Sequence, residues 1–103
     1  MRNASILFAV YCVIALPVHL HAEELNQRQA REAVERGELR PLSEILESIR
    51  KEFSGKVLDV ELEREDSGAL VYEVEILTEG GRVLELEYDG RTGRRLSIED
   101  DDD

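Results

Sequence analysis

The polar and apolar residues of this chain follow two different periods, one on each side of Gly55. On the N-terminal side the apolar positions are spaced as on a helix. Asn26 is a strong N-cap residue, and Gln29 three residues later completes a capping box. Gln27 to Arg36 is therefore predicted as a short helix with Ala30, Ala33 and Val34 on one side. Gly37 stands where a helix commonly turns left-handed and stops. A second helix is predicted to begin near Pro41, which suits a first helical turn. Leu42, Ile45, Leu46, Ile49 and Phe53 form its single apolar stripe, which Leu39 extends across the loop. Arg50 and Lys51 complement the C-terminal end of its dipole, and Gly55 ends it.

Beyond Gly55 the period becomes two. Leu58-Asp59-Val60-Glu61-Leu62-Glu63 alternates strictly between apolar and acidic residues. Glu65-Asp66-Ser67-Gly68 reads as a turn. Leu70 to Leu77 alternates again, with Leu70, Tyr72, Val74 and Ile76 facing one way. After the turn at Glu79-Gly80-Gly81, Val83 to Tyr88 forms a third strand with Leu84, Leu86 and Tyr88 inward. Asp89-Gly90-Arg91-Thr92-Gly93 is a third turn, and Leu96 and Ile98 are predicted as a brief edge strand before a disordered acidic tail, residues 99–103. Short turns between such strands give an antiparallel meander. One apolar face and one polar face mark a sheet covered on one side only, and the second helix carries the matching stripe. The predicted architecture is α+β, with the N-terminal helices on one face of a three- to four-stranded antiparallel sheet.

The first 22 residues belong to neither pattern. Arg2 precedes an apolar run from Ala4 to Leu16, Pro17 interrupts it, and Val18 to Ala22 leads into Glu23-Glu24. A positive start, an apolar stretch and a small residue before a polar segment define a cleavable secretory signal. Cleavage is placed after Ala22. The run is shorter than the roughly 20 residues that a membrane-spanning helix needs. Cys12 does not suit a lipoprotein, because Tyr11 precedes it where a small residue is required.

Cleavage changes the chemistry that is left. It removes 22 of 103 residues and one of 13 basic residues, leaving 81 residues with 24 acidic side chains and a formal net charge of −12. A chain of 81 residues makes one domain with a modest core. The single Cys and both His (Cys12, His19 and His21) leave with the signal. The mature chain then holds no disulfide, no thiol or imidazole for nucleophilic catalysis and no Cys/His zinc site. No cofactor is expected. Nucleic acid and anionic membrane surfaces are poor partners for so acidic a domain, and the mature form is not expected to be embedded in membrane.

The order of the elements carries a family likeness. A helical front, Arg31 to Leu46, is followed by a strand ending in Glu63-Arg64. Val71-Tyr72-Glu73-Val74 comes after a Gly turn, and the last segment is Leu86-Glu87-Tyr88-Asp89-Gly90-Arg91-Thr92-Gly93. Over residues 28–98 this resembles the PepSY domain, in particular the short single-domain PepSY proteins of the Gram-negative periplasm. PepSY domains occur in propeptides of secreted metallopeptidases, which they inhibit or help to fold. They also occur as isolated exported domains, some associated with two-component sensory systems. The resemblance implies a non-enzymatic periplasmic or secreted interaction module. No peptidase domain follows in this sequence, so an exported peptidase or the sensor domain of a histidine kinase would be met in trans.

By parity, Asp59, Glu61, Glu63, Glu73, Glu75, Glu85 and Glu87 share the outward face of the meander. Like charges opposite one another destabilise a sheet. The array is therefore either a solvated, aggregation-resistant surface or a docking face for a basic partner. The alternative function class is a cation-binding or envelope-stress buffer protein using the same face. No EF-hand-like loop is present to hold Ca²⁺. Asp89, Thr92 and Gly93 are read as a structural turn, not a phosphate loop, since no helix follows them. Arg91, Arg94 and Arg95 are expected to pair loosely with surface acids. Tyr72 and Tyr88 are expected in the core, each hydroxyl with a partner or a route to water. A strand face is not expected to raise the pKa of any carboxyl enough for acid–base catalysis.

Overall fold

Asn26 opens the first helix as its neighbours predict. In the computed structural model, which describes residues 23–101, its side-chain oxygen accepts from the Gln29 N–H at 2.8 Å. The Gln29 side chain accepts in return from the Asn26 N–H at 3.0 Å. Helix α1 (Gln27–Glu35) follows. It ends in a Schellman motif: Gly37, at φ +72°, donates to Val34, and Glu38 donates to Ala33. Pro41 is the residue just before helix α2 (Leu42–Glu52), one position earlier than its expected place in the first turn. The helix stops at Phe53, two residues ahead of Gly55. The proposed signal segment, with its cleavage point at Ala22, lies outside the described residues, as do Asp102 and Asp103.

Five antiparallel strands follow the chain across one sheet: β1 (Glu23–Glu24), β2 (Gly55–Arg64), β3 (Leu70–Thr78), β4 (Val83–Asp89) and β5 (Arg95–Asp100), in the order β1-β2-β3-β4-β5. The α+β class is as expected, but there are more strands than the three or four predicted. The addition is β1, in which Glu23 and Glu24 pair with Arg64 and Glu63. Two residues without alternation leave no periodic trace in a sequence. β5 also runs on to Asp100, so Glu99 and Asp100 are paired and not part of a loose acidic tail.

The inner face of the sheet carries the apolar parity set. Leu62, Leu70, Tyr72, Val74, Ile76, Leu84, Leu86 and Tyr88 are buried together with Ala33, Leu39, Ile45 and Ile49 from the helical side. Complete burial of side chains such as Ile45 or Leu86 contributes roughly 1.5–3 kcal/mol each relative to exposure. No charged residue is buried among the described residues. The Tyr72 hydroxyl donates to the Arg40 carbonyl at 2.7 Å, and burial raises its pKa to about 12, so it stays a neutral donor. That bond ties the α1–α2 loop to β3.

Two register shifts break the alternation. β2 carries an extra residue, Leu58, between the Val57–Ile76 and Asp59–Glu75 pairs. β5 carries Leu96 between the Ser97–Glu87 and Arg95–Tyr88 pairs. Both bulge residues are exposed, as are Val57 and Ile98. The second shift puts Arg95 opposite Tyr88, on the helix side of the sheet. There it donates to Glu52 at the end of α2 and lies 5.9 Å from the Phe53 ring centroid. Arg95 is exposed, so this is the surface pairing with an acid that its sequence context predicts, with Glu52 as the acid.

Candidate functional site

The strand register brings all seven predicted carboxylates onto one face. Glu61 pairs with Glu73, and Glu73 with Glu87. In the neighbouring row Asp59 pairs with Glu75, and Glu75 with Glu85. Glu63 stands in the adjacent row, opposite Val71, which in turn pairs with Asp89. The β4–β5 pairing adds Glu99 opposite Glu85. Parity counted from Ile98 would add Glu99, but the acidic run that begins there reads as a tail in the sequence.

Each of the two rows is therefore a ladder of like charges. No Lys or Arg forms an ion pair with any of the seven among the described residues; the ion pairs there join other acids. Three of the carboxylates, Glu61, Glu73 and Glu85, have raised pKa values. Glu73, at the centre, is half-buried, and its pKa rises to about 8. Partial burial is the largest cause, followed by the charges of Glu63 and Glu85, a hydrogen bond with Glu63, and the charge of Glu87. Glu61 is raised by desolvation and then by Asp59 and Glu63. Glu85 is raised by desolvation and then by Asp101, Glu87, Glu99 and Glu75. Glu73 departs from the expectation that a strand face raises no carboxyl pKa far enough for acid–base chemistry. Three acids stacked across hydrogen-bonded strands cannot separate as they would on a free surface.

The face is concave over Asp59, Glu61, Glu73, Glu75 and Glu85, which line a shallow cleft of about 140 Å³. This is smaller than the roughly 300–1,000 Å³ typical of small-molecule sites. Glu61, Glu63 and Glu73 bring carboxylate oxygens within 4.8 Å of one another, as do Glu73, Glu85 and Glu87, so that Glu73 is common to both groups. Oxygen-rich, anionic and open, the surface can attract cationic side chains or hard cations.

The turn residues occupy the places assigned to them. Asp89 Oδ1 accepts from the backbone of Arg91 at 2.8 Å and of Thr92 at 3.2 Å. Thr92 Oγ1 accepts from the Arg94 N–H at 3.2 Å. Gly93, at φ +77°, donates back to the Asp89 carbonyl at 2.8 Å. An Asx-type turn spends these backbone donors within itself.

An apolar groove went unrecognised in the sequence. It has a volume of about 630 Å³ and lies between α1, the start of α2 and the outer part of β2; Leu25, Ala30, Val34, Leu42, Val60 and Leu62 are among its walls. Periodicity had assigned most of these residues to the core, and it does not report where a helix stops short of a sheet edge.

No helix among the described residues is long and apolar enough to cross a membrane. Neither a curated protein nor a solved structure matches the chain. A family model does: PepSY, the peptidase propeptide and YPEB domain, matches residues 41–99. The match runs from the start of α2 through most of β5 and leaves α1 outside it. It spans more than half of the sequence, and the helix-and-meander order it covers is the one seen in the fold, so the chain belongs to the PepSY family.

Proposed function

We propose that this protein is a non-enzymatic, exported interaction module that regulates another exported protein, a peptidase or the sensor domain of a histidine kinase, by docking a basic surface of that partner on its acidic sheet face. One observation carries the reading: Asp59, Glu61, Glu63, Glu73, Glu75, Glu85 and Glu87 are held side by side with no ion-paired base of the described chain among them. A partner's Lys and Arg would relieve that repulsion, which gives contact an electrostatic driving force that the isolated domain lacks. Family membership supports a propeptide-like regulatory role over catalysis. Glu73, raised to about 8, has the pKa of a general acid, but its cleft is too small and open to enclose a substrate.

The test is capture from a periplasmic extract at low and high ionic strength, using wild type and the triple variant Glu61→Gln, Glu73→Gln, Glu85→Gln. A partner held at low salt, lost at high salt and not held by the variant is the expected result, since screening acts over about 10 Å at 0.1 M salt. Retained proteins are then assayed for peptidase activity with and without the module. Absence of any salt-sensitive partner would overturn the reading.

The two carboxylate groups that share Glu73 favour a second reading, a cation-binding or envelope-stress buffer protein. Calorimetric titration with Ca²⁺ decides it. Saturable heat that Glu73→Gln abolishes supports a site, and weak, non-saturating heat removes it.

A further inference from the structure

We propose that the outer edge of β2, around Val60, is a strand-addition site for an extended segment of a partner protein in which basic and apolar residues alternate. The proposal rests on the acidic face being a contact surface, and it adds backbone recognition and a sequence pattern to that contact.

The edge is open for a structural reason. β1 covers only Arg64 and Glu63 of β2, and the Leu25 N–H adds one more bond, to the Leu62 carbonyl at 2.8 Å. The chain then leaves the sheet at Asn26 to begin α1. Residues 55–61 of β2 therefore have no strand beside them on that side among the described residues. In an antiparallel ladder the N–H and C=O of one residue point the same way, and the direction alternates along the strand. Since the Leu62 carbonyl points to the edge, both backbone groups of Val60 do too. Open edges are commonly blunted by charge or cover. Here the edge is followed by exposed Leu58 and Val57, each nearly half exposed.

The two faces beside this edge fix what can pair there. A segment lying along β2 sends alternate side chains to opposite faces. Those on the side of Val60 enter the apolar groove of about 630 Å³ walled by Leu25, Ala30, Val34, Leu42 and Leu62. Those on the side of Asp59 and Glu61 join the end of the acidic rows. Apolar residues therefore suit the first set of positions and Lys or Arg the second. A second copy of this chain fits poorly. Its own strands alternate apolar with acidic residues, so edge-to-edge pairing would extend the like-charge ladders of a chain with net charge −11.

The experiment titrates three capped synthetic peptides into the isotope-labelled protein at low ionic strength and follows backbone amide resonances. In the first, Lys and Val alternate. The second has the same composition with Lys and Val in separate blocks. The third is the alternating peptide N-methylated at its Val residues, which cannot donate to β2. The alternating peptide should shift the Val60 amide and bind about tenfold more tightly than either control, a difference of the size expected from a few backbone hydrogen bonds. Val60→Pro, a change that an edge position tolerates, should bring the alternating peptide down to the level of the controls. Should that variant not fold, the N-methylated peptide makes the same comparison on wild type. Equal binding of all three peptides would overturn the edge site and leave the acidic-face reading standing. No binding by any peptide would overturn both. A concentration-dependent dimer of the protein alone, dissociated by Val60→Pro, would give the edge to a second copy and overturn the proposal.

Discussion

Gly90 shows how much one small residue carries where several segments meet. Its N–H donates to the Leu70 carbonyl at 2.7 Å, and its carbonyl accepts from the Arg40 N–H at 2.6 Å. It is buried, and a methyl group on its α-carbon would lie 2.7 Å from Leu39 Cδ1 and 2.9 Å from the Leu70 carbonyl oxygen. The Leu70 oxygen is backbone and cannot swing away. Gly90→Ala must therefore push the α1–α2 loop off the sheet or loosen the start of β3, and such overpacking typically costs about 1–3 kcal/mol. Urea unfolding should show that loss. Gly80→Ala is the matched control: its nearest such contact is Thr78 Oγ1 at 3.8 Å, and an exposed turn change of this kind stays within about 0.5 kcal/mol. Equal effects at the two positions would mean that the close approach at Gly90 is not what holds the loop.

At the level of elements, the parts that were legible in the sequence are those where one period runs unbroken. The stripe Leu42, Ile45, Leu46, Ile49 and Phe53 became α2 and its core contacts. The alternation of β3 and β4 placed Tyr72, Val74, Leu86 and Tyr88 inside and Glu73, Glu75, Glu85 and Glu87 outside. What stayed hidden depends on an added residue or on contacts distant in sequence. A bulge inserts one residue and reverses parity beyond it, so the sequence does not show that Arg95 stands opposite Tyr88 or that its surface partner is Glu52, beside Phe53. Glu99 stayed hidden because it opens an acidic run that reads as a tail, although it continues the acidic rows. β1 was invisible because its two Glu residues look like the polar start of a mature chain, and their pairing to Arg64 and Glu63 is set by where α1 packs. The groove beside Val60 was hidden for a related reason: apolar pattern tells which residues avoid water, not whether the cover reaches the last strand.

Across the whole molecule, the acidic face should make stability run against the usual direction of acid unfolding. Glu73 has a folded pKa of about 8 against an ordinary 4.5, so between these values the folded chain holds a proton that the unfolded chain has lost. Stability falls with rising pH wherever the native state binds more protons. The contribution from Glu73 is thus full below about pH 4.5 and is lost as pH rises through about 8. Glu61 and Glu85, also raised, act in the same direction. Urea midpoints should be higher near pH 5.5 than near pH 8.5, both taken as approximate settings within that window. Glu73→Gln should raise stability at the alkaline end and flatten the profile. Added salt at the alkaline end should also stabilise, because it screens repulsion along the rows, and its effect should shrink in the Gln variant. A profile that instead falls on acidification from pH 8.5, unchanged by Glu73→Gln, would mean that the carboxylates splay into water and ionise independently. The face would then lack the stored repulsion that a basic partner is proposed to relieve, and the contact reading would lose its driving force along with the pH profile.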